Sequence, residues 1–357
     1  MGAGYEPALF SCVVLDGVGG ALMGGVNCGR TAYFADDSVS LYLGDAGQVL
    51  SAMPDGFVDC VVTSPPYYGL RDYGADGQLG MESTVDGYVK RLVAVLHELG
   101  RVLAADGALW LNLADCYSGS GKGRNGDGIP SSSPGKQASD RGGRTGTLTH
   151  SCRQGRRESL LGVPWRVALA LMDDGWTLRN EIVWHKPNAM PSSARDRFTV
   201  KHETLFLLTR GERYWFDLDA VKLPATAQSP RALSWNRDTK ETDHPGIRYR
   251  QHRTRRHDST AAGTANPGDV WTMPNRPFHG AHYATFPLDL PLRCIQAGCK
   301  PGGQVMDPFN GSGTTGQAAA LLGHPYTGID INAGYLDLSL HTRLAARAIT
   351  DQPSEAA

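Results

Sequence analysis

Two short segments carry residue types that could do chemistry. Thr63-Ser-Pro-Pro-Tyr67 follows the apolar run Phe57–Thr63 and places a hydroxyl, two prolines and an aromatic ring on one tight loop. Consecutive prolines fix the backbone and remove two N–H donors, so carbonyls and the Ser64 side chain can point outward. Such a loop suits an exocyclic amine. Ser64 and the Pro65 carbonyl would accept its two N–H groups, aligning the nitrogen lone pair on a methyl donor, and Tyr67 would stack on the ring. The gain would come mainly from positioning. Ser64, Pro65, Pro66 and Tyr67 are the candidate catalytic residues. Taken alone, the tetrapeptide is more simply an ordinary turn.

The second segment is Asp307-Pro-Phe-Asn-Gly-Ser-Gly-Thr-Thr-Gly316, between an expected strand and an expected helix. Gly311, Gly313 and Gly316 satisfy G-x-G-x-x-G, the spacing that turns a backbone tightly beneath a nucleotide-like ligand. Asp330 ends the next strand, where a carboxylate can accept from ribose hydroxyls. A strand-to-helix turn without a ligand is the competing reading. The loop lacks the lysine of a phosphate-binding P-loop. Too little chain follows Asp330 to finish a nicotinamide-type domain. Strands from earlier in the chain must therefore complete the sheet, which makes the cofactor-binding half C-terminal and the sheet circularly permuted.

These loops need rigid elements behind them. Val39–Leu43 and Phe57–Thr63 read as strands, the second ending at the Pro-Pro turn. Apolar residues from Val85 to Leu103 recur at helical spacing, with Ser83 or Thr84 as N-cap. Asp106-Gly107 is expected to turn the chain into a strand over Ala108–Leu113. A helix near 164–174, strands over Leu178–His185 and Glu203–Thr209, a helix near 288–299, and strands at Gln304–Met306 and Tyr326–Asp330 complete the pattern.

The 357 residues suffice for one large α/β domain with insertions, and 41% hydrophobic content supports a real core. Formal net charge is −1, so the chain as a whole is no basic nucleic-acid binder, although a local basic surface could still grip DNA. Seven scattered cysteines form no zinc-type cluster; free thiols are expected and no metal site. The absence of a signal pattern or long apolar run points to a cytoplasmic protein with no membrane partner. Residues 1–37 read as an extension, 38–116 as the catalytic half, and 117–160 as a flexible basic loop. The remainder of the catalytic half, with antiparallel strands, would occupy 161–219, a target-recognition insertion 220–280, and the cofactor-binding half 281–350.

Ser-Pro-Pro-Tyr after one strand and Asp-Pro-Phe-x-Gly-Ser-Gly-Thr-Thr after another resemble the amino-group DNA methyltransferases, and their order resembles the permuted β group. The resemblance covers roughly 39–115 and 160–345, and Thr63–Gly74 and His282–Pro287 strengthen it. It implies a Rossmann-like class I methyltransferase sheet with loop-rich DNA-recognition insertions. S-adenosylmethionine would be the methyl donor and double-stranded DNA the substrate. It carries the cofactor roles onto Asp45, Phe286, Pro287, Asp307, Phe309, Gly311, Gly313, Thr314 and Asp330. Serine in the first catalytic position goes with N4 of cytosine, with N6 of adenine as the alternative, and the base would be flipped out of the duplex. No Pro-Cys pair is present, against carbon-5 chemistry. Arg248, Arg250, Arg253, Arg255 and Arg256 are the candidate DNA contacts, beside the basic residues Lys122 to Arg157. A cognate restriction endonuclease is an expected partner, and a monomer or homodimer the expected state. Competing readings are RNA or protein-amide methylation, a non-catalytic DNA-binding protein with a methyltransferase-like core, and an NAD-dependent oxidoreductase.

Overall fold

A computed structural model of the chain describes residues 31–70, 75–118, 159–192, 194–224, 264–275 and 286–345. In chain order the elements are β1 (Phe34–Ala35), β2 (Val39–Leu43), α1 (Ala46–Ser51), β3 (Val58–Thr63), α2 (Val85–Val102) and β4 (Leu103–Leu113). There follow α3 (Val163–Asp173), β5 (Thr177–His185), β6 (His202–Thr209), β7 (Leu223–Pro224), β8 (Thr264–Ala265) and β9 (Val270–Thr272). The last are α4 (Asp289–Gly298), β10 (Val305–Asp307), α5 (Thr314–Leu321), β11 (Tyr326–Asp330) and α6 (Ala333–His341).

Nine strands form one sheet in the order β1-β2-β11-β10-β3-β4-β6-β5-β9. The strands from β2 to β4 in this order are parallel, while β6 runs antiparallel to β4 and to β5. The C-terminal strands β10 and β11 thus stand between β2 and β3, so earlier strands do complete the sheet. Burial on both faces explains the near-continuous apolar runs. Val61, Leu109, Leu111 and Phe206 face the layer of α1, α2 and α3, while Cys60, Val62, Trp110 and Leu207 face α4, α5 and α6. This alternation is the two-residue period of a strand.

Local chemistry sets the ends of the elements. Thr84 caps α2, its Oγ1 accepting from the Gly87 N–H at 3.0 Å. Gly162, left-handed at φ 69°, opens α3 without a capping side chain. Asp115 supplies the cap from the end of β4, accepting from the Gly162 and Val163 N–H groups at 2.9 and 3.0 Å. The expected turn at Asp106-Gly107 is instead a bulge inside β4. Val58 pairs with Leu103 and Cys60 with Ala108, so extra residues of β4 arch out. A Cβ on Gly107 would meet Leu103 Cδ1 at 2.8 Å and the Asp59 carbonyl at 2.9 Å, so only glycine fits there. β1 lies in the stretch read as an extension. β9, in the stretch read as an insertion, adds a parallel edge to β5.

The third glycine of the motif has a packing reason. A Cβ on Gly316 would meet Tyr326 Cε1 at 2.6 Å and Leu344 Cδ2 at 2.7 Å, so α5 lies against β11 only because this position is bare. Gly316→Ala should therefore destabilise the fold by about 1–3 kcal/mol, as overpacking of a filled core does. Urea unfolding measures it, and an unchanged midpoint would contradict the close packing.

Candidate active site

A cleft of 730 Å³ opens at the end of the sheet where the parallel strands finish. Open α/β sheets bind ligands at that end, and the volume suits a nucleotide-sized molecule. Gly44 and Asp45 reach it after β2, Ser64–Tyr67 after β3, Pro308–Ser312 after β10 and Ile331 after β11. Lys186 enters after β5 and Glu203 at the start of the antiparallel β6. The topology thus brings both sequence motifs to one cavity.

The glycine loop is held by its own polar groups. Gly311, at φ 52°, donates its N–H to Asp330 Oδ2 at 2.8 Å, and the Asn332 N–H donates to Asp330 Oδ1 at 2.9 Å. Asn310 lies over Gly328, where a Cβ would meet its Oδ1 at 2.6 Å, and that oxygen accepts from the Tyr326 hydroxyl at 2.8 Å. Gly313 is left-handed at φ 78° and starts α5, with Ser339 where its Cβ would be. Burial pushes the Asp330 carboxyl up to about 6 although the backbone donors pull it down.

Asp307, at the head of this loop, is wholly engaged by the chain. Oδ1 accepts from the Thr63 hydroxyl at 2.6 Å and from the Phe309 N–H at 3.0 Å, and Oδ2 lies 2.9 Å from Thr315 Oγ1. Burial pushes its carboxyl up to about 6, against those three donors. Thr315 also faces the Val62 carbonyl at 3.0 Å and has only one proton to give.

The catalytic loop is equally fixed. The Tyr88 hydroxyl donates to the Pro66 carbonyl at 2.9 Å. Ser64 Oγ donates to Tyr67 Oη at 3.1 Å, and Tyr67 Oη donates to Glu203 Oε2 at 2.8 Å. Asn112 Nδ2 donates to Tyr67 Oη at 2.7 Å and to Glu203 Oε2 at 2.9 Å. Lys186 pairs with Glu203 Oε1, its ammonium 4.0 Å above the Trp184 ring. Burial, then the Glu203 carboxylate, pushes the Tyr67 phenol well above its ordinary value.

Of the residues expected from sequence, Ser64, Pro65, Pro66, Tyr67, Asp45, Phe286, Asp307, Phe309, Gly311, Thr314 and Asp330 line the cleft. Asp45 also caps α1, accepting from the Gln48 N–H at 3.1 Å. Pro287 is buried outside the lining, and its carbonyl accepts from the Leu290 N–H. Gly313 shapes the turn rather than the wall. Trp184 is buried, its indole N–H donating to the Met273 carbonyl at 2.9 Å, and it also reaches the cleft. Trp271 packs against Trp110, with Arg293 over its ring. Arg248, Arg250, Arg253, Arg255 and Arg256, Trp235 and the basic residues of 122–157 lie outside the described residues. The sequence does not single out Asn112 or Glu203, nor the pairing of Lys186 with Glu203. A lone acid opening an apolar strand was the available signal, but its partners depend on cross-strand register.

Residues 58–341 match the N6/N4 methyltransferase family model, described as DNA methylase. The chain is 40% identical over 308 residues to the type II methyltransferase M.Cfr9I of Citrobacter freundii, covering 85% of this chain and 87% of that one. It is 37% identical to the type II methyltransferase M.SmaI of Serratia marcescens, covering 87% and 92%. Among solved structures, the cytosine-N4-specific PvuII DNA methyltransferase superposes with a TM-score of 0.57 at 18% identity, covering 92% of each chain. A Thermus thermophilus protein described as a putative DNA modification methylase, complexed with S-adenosyl-L-methionine, gives 0.51 at 20% identity, covering 86% and 93%.

A carboxyl that titrates higher when folded than when unfolded (about 3.9) favours folding below the unfolded value. That contribution is lost as pH rises through the folded value, here about 6. Asp307→Asn should remove a fall in unfolding free energy on the order of 2–3 kcal/mol between about pH 4 and 6. Urea melts at stepped pH test this; a variant with the wild-type slope would show that Asp307 ionises normally.

Proposed function

This chain belongs to the N6/N4 DNA methylase family of S-adenosylmethionine-dependent amino-methyltransferases, and from that premise we propose that it methylates N4 of cytosine in duplex DNA. The reading is supported by the Thr63–Asp307 hydrogen bond, which ties the Ser64–Tyr67 loop to the glycine loop, both of which line one cleft. Serine at position 64 favours cytosine, as does the cytosine-N4 specificity of the structurally similar PvuII enzyme.

The cleft fits S-adenosylmethionine. Asp330 and Asp45 offer carboxylates for sugar hydroxyls and the adenine end, and Phe309 and Phe286 offer apolar walls. The Asp330 carboxylate accepts from the Gly311 and Asn332 N–H groups and is also lowered by the Ile331 backbone, and its two oxygens together still have a lone pair for a hydroxyl. When bound, the donor supplies an electrophilic methyl whose carbon–sulfur bond breaks toward sulfur as the amine nitrogen bonds to carbon. Ser64 Oγ and the Pro65 carbonyl hold the amine, and Tyr67 stacks on the base. A duplex hides the amine, so the base is flipped into the site. The DNA grip is assigned to Arg248, Arg250, Arg253, Arg255 and Arg256 and to the basic residues between Lys122 and Arg157, all outside the described residues. A cognate restriction endonuclease is inferred as partner from the type II relatives, and the cytoplasm as the place where donor and DNA meet.

Ser64→Ala should slow transfer by about 10²-fold or more, as loss of positioning does, with donor binding unchanged by calorimetry. Asp330→Ala should weaken donor binding by about 1–3 kcal/mol. The base is read by incubating the protein with duplex DNA and S-adenosylmethionine and digesting to nucleosides for mass spectrometry. N4-methylcytosine is the expected product, and N6-methyladenine would overturn the choice of base. Full activity of Ser64→Ala would sink the catalytic loop.

A further inference from the structure

The polar groups under the catalytic loop form a chain with a fixed direction. A phenol oxygen carries one proton and two lone pairs. At Tyr67 the proton goes to Glu203 Oε2, and the lone pairs accept from Asn112 Nδ2 and Ser64 Oγ, so every capacity is used. Turning the Asn112 amide over would set its oxygen against the Glu203 carboxylate, so the contacts permit one orientation. Lys186 occupies the other oxygen of Glu203 and holds it as a carboxylate, which must accept. The single proton of Ser64 is thereby committed to Tyr67; Asn112 Nδ2 faces one lone pair at 3.4 Å, and the other is what Ser64 offers the cleft. An isolated serine hydroxyl has no such preference; it could donate as readily as accept.

We propose that Glu203 is a positioning residue that polarises Ser64 through Tyr67 and receives the proton released by the methylated amine. The inference rests on the reading of Ser64 as the amine acceptor. Once the nitrogen has formed its bond to carbon it carries one proton too many. That proton passes to Ser64 Oγ as the proton of Ser64 passes to Tyr67 Oη and that of Tyr67 to Glu203 Oε2. The amine ends neutral and Glu203 ends as a neutral acid beside Lys186. With the two side chains 16% and 13% exposed, water can then remove the proton. The phenol never needs to ionise, which agrees with a Tyr67 held protonated by burial and by Glu203. Among the described residues, the ionisable groups facing the chain are Lys186 from the end of β5, Tyr67 from the loop after β3 and, behind it, Tyr88 from α2. β4 contributes the neutral Asn112.

The test compares Tyr67→Phe, Glu203→Gln and Ser64→Ala in the full chain. Tyr67→Phe keeps the ring and removes the relay oxygen; Glu203→Gln keeps the shape and cannot take the proton. Single-turnover methyl transfer is measured against pH, alongside donor affinity by calorimetry and the thermal midpoint. Tyr67→Phe and Glu203→Gln should both be slowed by about tenfold or more, the low end for losing a proton acceptor, with donor affinity kept. The acid-side fall in rate should be absent from Glu203→Gln and partly restored by Glu203→Asp. If Tyr67→Phe is slowed by less than about tenfold, the ring alone matters and the relay is wrong. The relay is equally wrong if Glu203→Gln keeps the acid-side fall. Should Glu203→Gln fail to fold, Tyr67→Phe decides. Loss of transfer in Ser64→Ala with active Tyr67→Phe would leave the catalytic loop standing without the relay. Activity in Ser64→Ala would remove the underlying reading.

Discussion

Thr63 Oγ1 donates to Asp307 Oδ1 at 2.6 Å across the junction of two parallel strands, and the residues on either side of this contact make up the site. Ser64 follows Thr63, and the glycine loop follows Asp307. A carboxyl buried this deeply is costly to ionise, and it is retained because it organises two loops at once. Thr315, at the start of α5, touches the same group and the backbone of β3, so the helix joins the node. Both walls of the cleft are therefore referred to one buried point. Small shifts of the node would move acceptor and donor loops together and preserve the alignment on which positioning catalysis depends.

The two halves use polar burial in different ways. Around Asp307 the carboxyl is desolvated and pushed toward its neutral form. Around Glu203 a lysine balances the charge, with two further donors on the other oxygen. The first arrangement fixes geometry. The second fixes the direction in which hydroxyl protons point, which geometry alone does not do.

Much of the frame was legible because it depends on local pattern. The period of α2, its Thr84 cap, the strands β2 and β11 and the two loop motifs follow from spacing and turn chemistry over a few residues. Asp106-Gly107 misled because a dipeptide that favours turns also fits a bulge, and only the pairing of β3 with β4 decides between them. The meeting of Asn112, Lys186 and Glu203 is hidden in the sequence for a related reason. They come from three elements, and they meet only because β6 pairs antiparallel with both β4 and β5 in one register. Asp307 is expected from sequence at the cofactor and lines the cleft, but nothing in the sequence shows that its oxygens also serve Thr63, Phe309 and Thr315. Residue type indicated a polar role, and partners remote in sequence determined which.

The placement of β10 and β11 between β2 and β3 also bears on how the chain is made. β2 and β3 leave the ribosome early, and the strands that must separate them emerge on the order of ten seconds or more later. During that interval β2 and β3 each have one open edge whose correct neighbour is not yet made, the condition under which strands pair wrongly. A chain interrupted before β11 would lack the middle of its sheet rather than an edge, and would lack half of the methyl-donor cleft with it. Such a product would go to chaperones and proteases rather than survive as a weakened enzyme, so an incomplete copy could not modify DNA.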